Sequence, residues 1–390
     1  MTRRRSVIIL YEDAERTMKF IEQMSSCPQF SHITVHMLNA GVDCGIIASP
    51  PIEDKANKDI VFSRCSGSYA SRNHQQSPIL IESVIFAAEH SNMYTVLNGS
   101  KAFRLEMNKM LAFLYISGEM FQDSCAKLSP SKQSHLKVPT TVAVTKIESK
   151  LVRNALIKHN IKHECFIKGI VGGGSTTVRR LTLKPWEDNV NSKESQHMLN
   201  SQLDIIRSEL NSPTDIFIIQ QKAPNTESEC QYRFEIINKQ VHYVVKIRQK
   251  RSSDDVNSNT SSPHNKNNRL DNQTSAASTH VKNLCMCDLE VNDPEVELSI
   301  INSPIELSKE PGMQGCLHGS SALKCARGVY TALELFAHEH NLHVVALEGT
   351  LHKGVLWTFD INTNSNYNHK LEHQYGVVPG AWQVLQTMIT

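Results

Sequence analysis

Short apolar runs alternate with helical patterns through about the first hundred residues, and this alternation restricts the chain to few folds. Residues 6–10 (SVIIL) are too short a run for a helix and rich in β-branched side chains. Residues 13–24 follow with Ala14, Met18, Ile21 and Met24 at three- and four-residue spacing, one face of a helix. Residues 33–38, 59–63 and 94–97 read as further strands, and 79–90 (ILIESVIFAAEH) as a helix. Strands separated by helices run parallel, because a crossover helix returns the chain to the same end of the sheet. The expectation is an α/β domain over residues 1–98.

Charge narrows the function. Lys and Arg total 41 against 39 Asp and Glu, a net charge of +2. Such a balance gives no long-range attraction for nucleic acid, so no nucleic-acid partner is expected. No apolar run approaches the roughly 18 residues of a membrane span, and the opening apolar stretch stops at Tyr11, so no membrane partner is expected either. The ten cysteines are scattered, as free thiols of a reducing compartment would be. A cytoplasmic protein is the expectation. Cys285-Met286-Cys287 lacks the second pair that a zinc site needs.

The remainder reads as one longer domain, residues 99–390. Asn98-Gly99 is a turn signal before a single helix over 101–117. Residues 129–137 read as a loop, 142–144 as a strand, 148–160 as a helix and 164–168 as a strand. The loop Gly172-Gly173-Gly174-Ser175 and a returning strand at 178–183 follow. Residues 185–198 are polar; 201–210 are helical and 215–220 a buried strand. Residues 231–237 and 241–248 alternate around Asn238-Lys239-Gln240 as a hairpin. In the stretch 252–280, 17 of 29 positions are Ser, Thr, Asn or Gln, too few apolar groups to offset the entropy of ordering it. That stretch reads as a disordered insert. A helix over 322–338 and a hairpin of 344–347 with 355–361 complete the pattern.

Three groups of residues can carry chemistry. The glycine loop 172–174 with Ser175, after Lys168, lets backbone N–H groups approach phosphate oxygens, although a flexible hairpin tip needs the same residues. Glu348, Asp360 and Asn362 lie on the last hairpin. Asp360 and Asn362, two apart, share a strand face. Their oxygens suit Mg²⁺, or else are solvated strand ends. Arg233 and Arg248, on the middle hairpin, are expected to face one cleft and contact phosphate or carboxylate, unless they are plain exposed strand arginines. The histidines at 338, 340, 343 and 352 lack the spacing of a metal set and read as a polar helix end.

In this order the parts resemble the ATP-grasp superfamily, most of all its glutamate-ligase and glutathione-synthetase-like ATP-binding domains. The resemblance spans about residues 59–368. Its most specific element is an acid followed twelve residues later by a carboxylate-x-Asn pair, here Glu348 and Asp360-Ile361-Asn362. It implies an α/β pre-ATP-grasp domain and a two-lobed α+β ATP-grasp domain that clamps ATP and Mg²⁺. Lys168, Gly172, Gly173, Gly174 and Ser175 would hold the phosphates, and Gln220, Gln221, Lys222 and Ala223 the adenine. Glu348, Asp360 and Asn362 would hold metal, while Arg233 and Arg248 would face the reacting phosphate. Gln231 takes the place of an acidic ribose contact, and Phe62-Ser63-Arg64 with Ser68-Tyr69 resembles a segment closing over the cleft. The implied activity is ligation of a carboxylate to an amine, on small-molecule or peptide substrates, through an acyl phosphate, often in a homodimer. A catalytically reduced, ATP-binding regulatory or scaffold protein is the alternative.

Overall fold

The computed structural model describes residues 5–40, 58–65, 78–91, 93–117, 135–162, 164–171, 178–182, 193–210, 216–224, 230–249, 296–316 and 320–390. The glycine loop, Ser68-Tyr69, Cys285-Met286-Cys287 and the stretch 252–280 lie outside these residues. Among the described residues no helix is long and apolar enough to cross a membrane.

The first sheet is built from β1 (Arg5–Tyr11), followed by α1 (Ala14–Ser25), β2 (Ile33–Asn39), β3 (Asp59–Ser63), α2 (Pro78–His90) and β4 (Tyr94–Leu97). Its strands pair in the order β2-β1-β3-β4, all parallel. Asp13 caps α1 by accepting from the Arg16 amide, which satisfies one of the open N–H groups of the first turn. Successive strand residues point to opposite faces. Val7, Ile9 and Phe62 therefore pack on Phe20 and Met24, while Leu10 and Val61 pack on Ile81 and Ile85 of α2.

Asn98, in the left-handed region at φ 54°, turns the chain out of β4. The continuous helix expected over 101–117 is instead two, α3 (Ser100–Met107) and α4 (Lys109–Ser117). Asn108 is extended between them and accepts from the Leu111 amide as a cap. An asparagine side chain that bonds nearby backbone competes with the helix, which favours a break here. Next come β5 (Leu136–Lys137), inside the expected loop, β6 (Thr141–Val144), α5 (Ser149–Lys158), β7 (Glu164–Gly169), β8 (Val178–Thr182), α6 (Lys193–Glu209) and β9 (Phe217–Gln221). Of these strands, β6 to β9 form an antiparallel sheet ordered β6-β9-β7-β8. Cys165, Ile167 and Ile219 face the helix side of this lobe with Val152, Leu156 and Leu203. Strand alternation turns Lys168 and Gln220 to the opposite face.

The largest sheet contains β10 (Cys230–Ile237), β11 (Gln240–Gln249) and β12 (Val296–Ile301). The helices α7 (Pro304–Leu307) and α8 (Ala322–Glu339) then precede β13 (Val344–His352) and β14 (Val355–Asn362). Its order is β12-β11-β10-β13-β14-β5. The stripe Cys325, Ala326, Val329, Leu333, Phe336 of α8 covers one face, against Tyr232, Phe234, Leu347 and Leu356. Each such fully buried large side chain is worth roughly 1.5–3 kcal/mol. The other face carries Arg233, Glu235 and Glu348 toward the remaining lobes. Two helices close the chain, α9 (His369–Gln374) and α10 (Gly380–Ile389). Ala381, Val384, Leu385 and Met388 of α10 join one core with Phe20 and Met24 of α1 and Tyr243 and Val245 of β11.

Glu372 of α9 holds this closing segment and carries a pH signature. It is 1% exposed, and its Oε1 accepts from the Tyr243 hydroxyl at 2.6 Å and the Gly380 amide at 2.7 Å. Burial, with a lesser push from Glu235, raises its carboxyl from 4.5 to about 7. The folded state thus binds the proton more tightly than the unfolded chain. This contribution to stability is complete below about pH 4.5 and is lost as the pH rises through 7, on the order of 3 kcal/mol in all. Glu372→Gln keeps an acceptor for both donors and removes the titration. Urea midpoints measured from pH 5 to 8 are expected to fall less steeply in that variant than in the parent.

Candidate active site

The break at Asn108 decides where Lys109 goes. The Lys109 amide donates to the Ile170 carbonyl at the end of β7, at 3.2 Å. Its ammonium reaches the other lobe and donates to Asp360 Oδ1 at 2.9 Å. In the sequence, Asn108-Lys109 is one of the parts that resemble the ATP-grasp superfamily, within a helical pattern that runs uninterrupted, but Lys109 carries no expected site role there. The polar Asn108-Lys109 pair inside an apolar helical stretch was the available signal.

Lys168 bridges the same two lobes. Its ammonium donates to Gln220 Oε1 at 2.7 Å and to the Phe359 carbonyl of β14 at 3.0 Å. Gln220, fully buried, in turn donates to Thr141 Oγ1 at 3.1 Å. Gln221 binds the Thr140 carbonyl through its amide, Lys222 pairs with Glu164 at 2.6 Å, and Ala223 is buried just beyond.

On the large sheet, Glu348 of β13 lies directly opposite Asp360 of β14 in the strand register. Their side chains keep 25% and 29% of their surface exposed, so both are open to a ligand. Asn362, two residues beyond Asp360, shares its face, and its Oδ1 accepts from the Asn364 amide at 3.0 Å. Behind Glu348 stands Arg233, 4% exposed. It donates to Glu348 Oε1 at 2.5 Å, to Glu235 Oε1 at 2.6 Å and to Ser365 Oγ at 3.3 Å.

Charge in this cleft is tightly interlocked. Burial alone would depress the Lys109 amine, but the Asp360 carboxylate holds it above the usual lysine value. Among the described residues Lys168 has no carboxylate in direct contact, and burial together with the Lys109 charge pushes it down to about 8. Burial and the facing Asp360 raise the Glu348 carboxyl, although Arg233 pulls the other way. For Asp360, the Lys109 and Lys168 ammonium groups outweigh burial and lower the carboxyl. Two carboxylates facing each other beside two ammonium groups form an arrangement that gains from a divalent cation on one side and an anionic ligand on the other.

Arg248 does not join this group. In the register of β10 and β11 it pairs with Cys230, whereas Arg233 pairs with Val245. The odd offset puts the two arginines on opposite faces of the sheet. Arg248 is exposed and lies 3.6 Å from Glu297. The physical reason is the odd spacing along β11. The two-residue turn, with Asn238 and Lys239 at positive φ of 51° and 64°, shifts the register by one and the bulge between Glu235 and Ile236 shifts it back, so Arg248 still lies three residues from Val245, the partner of Arg233.

The segment after β14 is locked to the first sheet. Arg64 donates to the Ser365 carbonyl at 2.7 Å and to Asn366 Oδ1 at 2.6 Å, and lies 4.2 Å over the Phe20 ring. Asn364 donates to the Arg64 carbonyl at 2.6 Å. Asn98 donates to the carbonyls of Val344 and Thr363, and its Oδ1 accepts from the His343 and Val344 amides. These contacts fix Ser365, and through it one edge of Arg233.

No protein-family model and no curated protein matches the chain. Solved structures do. D-alanine–D-alanine ligase from Bacillus anthracis aligns with a TM-score of 0.54 at 11% identity, covering 99% of this chain and 96% of that one. The ATP-grasp ligase PsnB, complexed with a minimal precursor, aligns at 0.52 and 11% identity over 98% and 97% of the two chains. The Bacillus anthracis ligase complexed with ATP aligns at 0.52 and 11% identity, over 99% and 95%. Alignment over nearly the whole length, through all three sheets, establishes that the chain has the ATP-grasp fold.

Proposed function

We propose that the protein is an ATP- and Mg²⁺-dependent ligase that joins a carboxylate to an amine and releases ADP and phosphate. The observation that carries this reading is the convergence of Lys109, Lys168, Glu348 and Asp360 from three separate segments on one cleft. Two structural neighbours support it. One is a ligase solved with ATP, the other a ligase solved with a precursor.

The donor set fits magnesium, which takes hard oxygen ligands and retains waters and phosphate oxygens. Among the described residues no three His, Cys, Asp or Glu side chains are grouped as metal ligands. The acidic pair would therefore be completed by Asn362 and by ligand oxygens. Glu348, Asp360 and Asn362 would hold the ion, which when bound offsets the charge of the phosphate tail.

Lys109 and Lys168 bind the phosphates from the lobes they link, together with Gly172, Gly173, Gly174 and Ser175. Gln220, Gln221, Lys222 and Ala223 line the adenine edge. Arg233 orients Glu348 and presents a fixed positive charge toward the transferring phosphoryl group. The substrate carboxylate attacks the γ-phosphorus of ATP, and ADP leaves. The amine then attacks the acyl carbon, and phosphate leaves. Arg248, on the opposite sheet face, takes no part.

ADP release with pooled carboxylates and pooled amines tests the reaction. Turnover that requires both pools is the expected result. ATP binding with no turnover in any pool supports a regulatory protein instead.

Lys168 gives a more specific expectation. Its depressed amine, at about 8, rises when an anionic phosphate settles beside it, so nucleotide binding at pH 8 takes up protons. Calorimetry in buffers of different ionisation enthalpy is expected to register that uptake in the parent and not in Lys168→Met. The variant loses a charge-assisted contact of roughly 1.5–3 kcal/mol. Equal affinity and equal proton uptake in both proteins would remove Lys168 from the phosphate site.

A further inference from the structure

Away from the cleft, two thiols meet beneath the turn that joins β13 to β14. Gly354 occupies this turn at φ +79°, where a side chain is strained. A Cβ placed on it would come within 2.8 Å of the sulfur atoms of both Cys316 and Cys325. Twice that distance bounds the gap between the sulfurs, and the Cys325 thiol is hydrogen-bonded to Cys316. The turn itself is held firmly. The Gly354 amide donates to the Gly312 carbonyl at 2.9 Å, and a ring nitrogen of His135 lies 3.1 Å from the Gly354 carbonyl.

The two thiols differ in access. Cys316 is half-buried, with its thiol donating to the Met313 carbonyl at 2.8 Å. Cys325, in the first turn of α8, is 2% exposed. The other described thiols, Cys27, Cys65, Cys165 and Cys230, are all buried. Cys316 is therefore the one described thiol that a small oxidant reaches directly.

From this geometry we propose that Cys316 and Cys325 form a peroxide-responsive thiol pair that closes to a disulfide. The Cys316 thiolate attacks one oxygen of hydrogen peroxide. An S–O bond forms, the O–O bond breaks, and the departing hydroxide is protonated to water. Cys325 sulfur then displaces the sulfenic hydroxyl, which leaves as a second water with the Cys325 proton. Two thiols are oxidised by two electrons in all, and one peroxide is reduced. Burial pushes the Cys325 thiol up to about 12, so it stays protonated until its neighbour is oxidised. The bond would staple the segment ending at Cys316 to the first turn of α8, beside the turn from which β14 runs back to Asp360.

The test does not depend on the ligase reading. The full chain is treated with hydrogen peroxide, alkylated, digested and mapped by mass spectrometry. A Cys316–Cys325 cross-linked peptide is expected, lost on treatment with dithiothreitol. The melting temperature of the oxidised protein should rise by about 3 °C, from the restricted unfolded chain. In Cys325→Ser the sulfenic acid on Cys316 is expected to persist and to be captured by dimedone. Cys316→Ser should remain unreacted at position 325. The proposal is overturned if Cys316 is alkylated freely after peroxide, if it pairs with a different cysteine, or if Cys325→Ser gives no dimedone adduct.

Discussion

Asp360→Asn is expected to leave a folded protein that no longer binds ATP more tightly when Mg²⁺ is present. The substitution preserves the shape of the side chain and its place opposite Glu348. It removes the negative charge that the proposed Mg²⁺ site needs and that holds Lys109 at 2.9 Å. Glu348 cannot supply both functions, because Arg233 already engages its Oε1 at 2.5 Å. The loss of one charged ligand at roughly 1.5–3 kcal/mol corresponds to a drop of about ten- to a hundredfold in Mg-ATP affinity. Affinity measured with EDTA should change far less, since Gln220 and Gln221, proposed to line the adenine, lie on another strand. Calorimetric titration of both proteins with and without Mg²⁺ makes the comparison.

Arg233→Met is expected to be the most destabilising single change in the site. The guanidinium is 4% exposed and serves two carboxylates, of which Glu235 is 1% exposed. Removing it strands Glu235 as an uncompensated buried charge, and breaking a buried pair in this way costs about 3–5 kcal/mol. Burial disfavours the charged guanidinium, but Glu235 and Glu348 more than reverse that and hold it protonated. The double variant Arg233→Met with Glu235→Gln should recover part of the loss, because the stranded charge is then absent. Urea denaturation of the three proteins gives the answer. A single variant as stable as the parent would show that Arg233 is not needed to neutralise Glu235.

The facing of Glu348 and Asp360 was legible in the sequence because its signal is local. An acid and a carboxylate-x-Asn pair twelve residues apart fit two adjacent strands, and strand alternation then places Asp360 and Asn362 on one face. The parallel first sheet was legible for a similar reason, since each strand and helix carries its own periodicity. Lys109 was less so, because apolar spacing from Phe103 to Leu114 runs straight through Asn108, and the polar Asn108-Lys109 pair is the one sequence sign of the break that the contacts with Ile170 and Asp360 exploit. Arg248 falls on the other face because it lies three residues from Val245, the partner of Arg233, and an odd offset along a strand reverses the face. Neither Leu136–Lys137 nor Val296–Ile301 stood out as strands. The first is only two residues long and pairs with β14 at the sheet edge, and the second follows a long polar stretch that masks its start.

The proposed chemistry requires the cleft to bind Mg-ATP, and equilibrium titration of the unmodified protein tests that directly. One ATP per chain is expected to bind, tighter by about tenfold or more with Mg²⁺ than with EDTA, given the charge that Glu348 and Asp360 present. Binding that Mg²⁺ leaves unchanged, or no ATP binding at all, would contradict it.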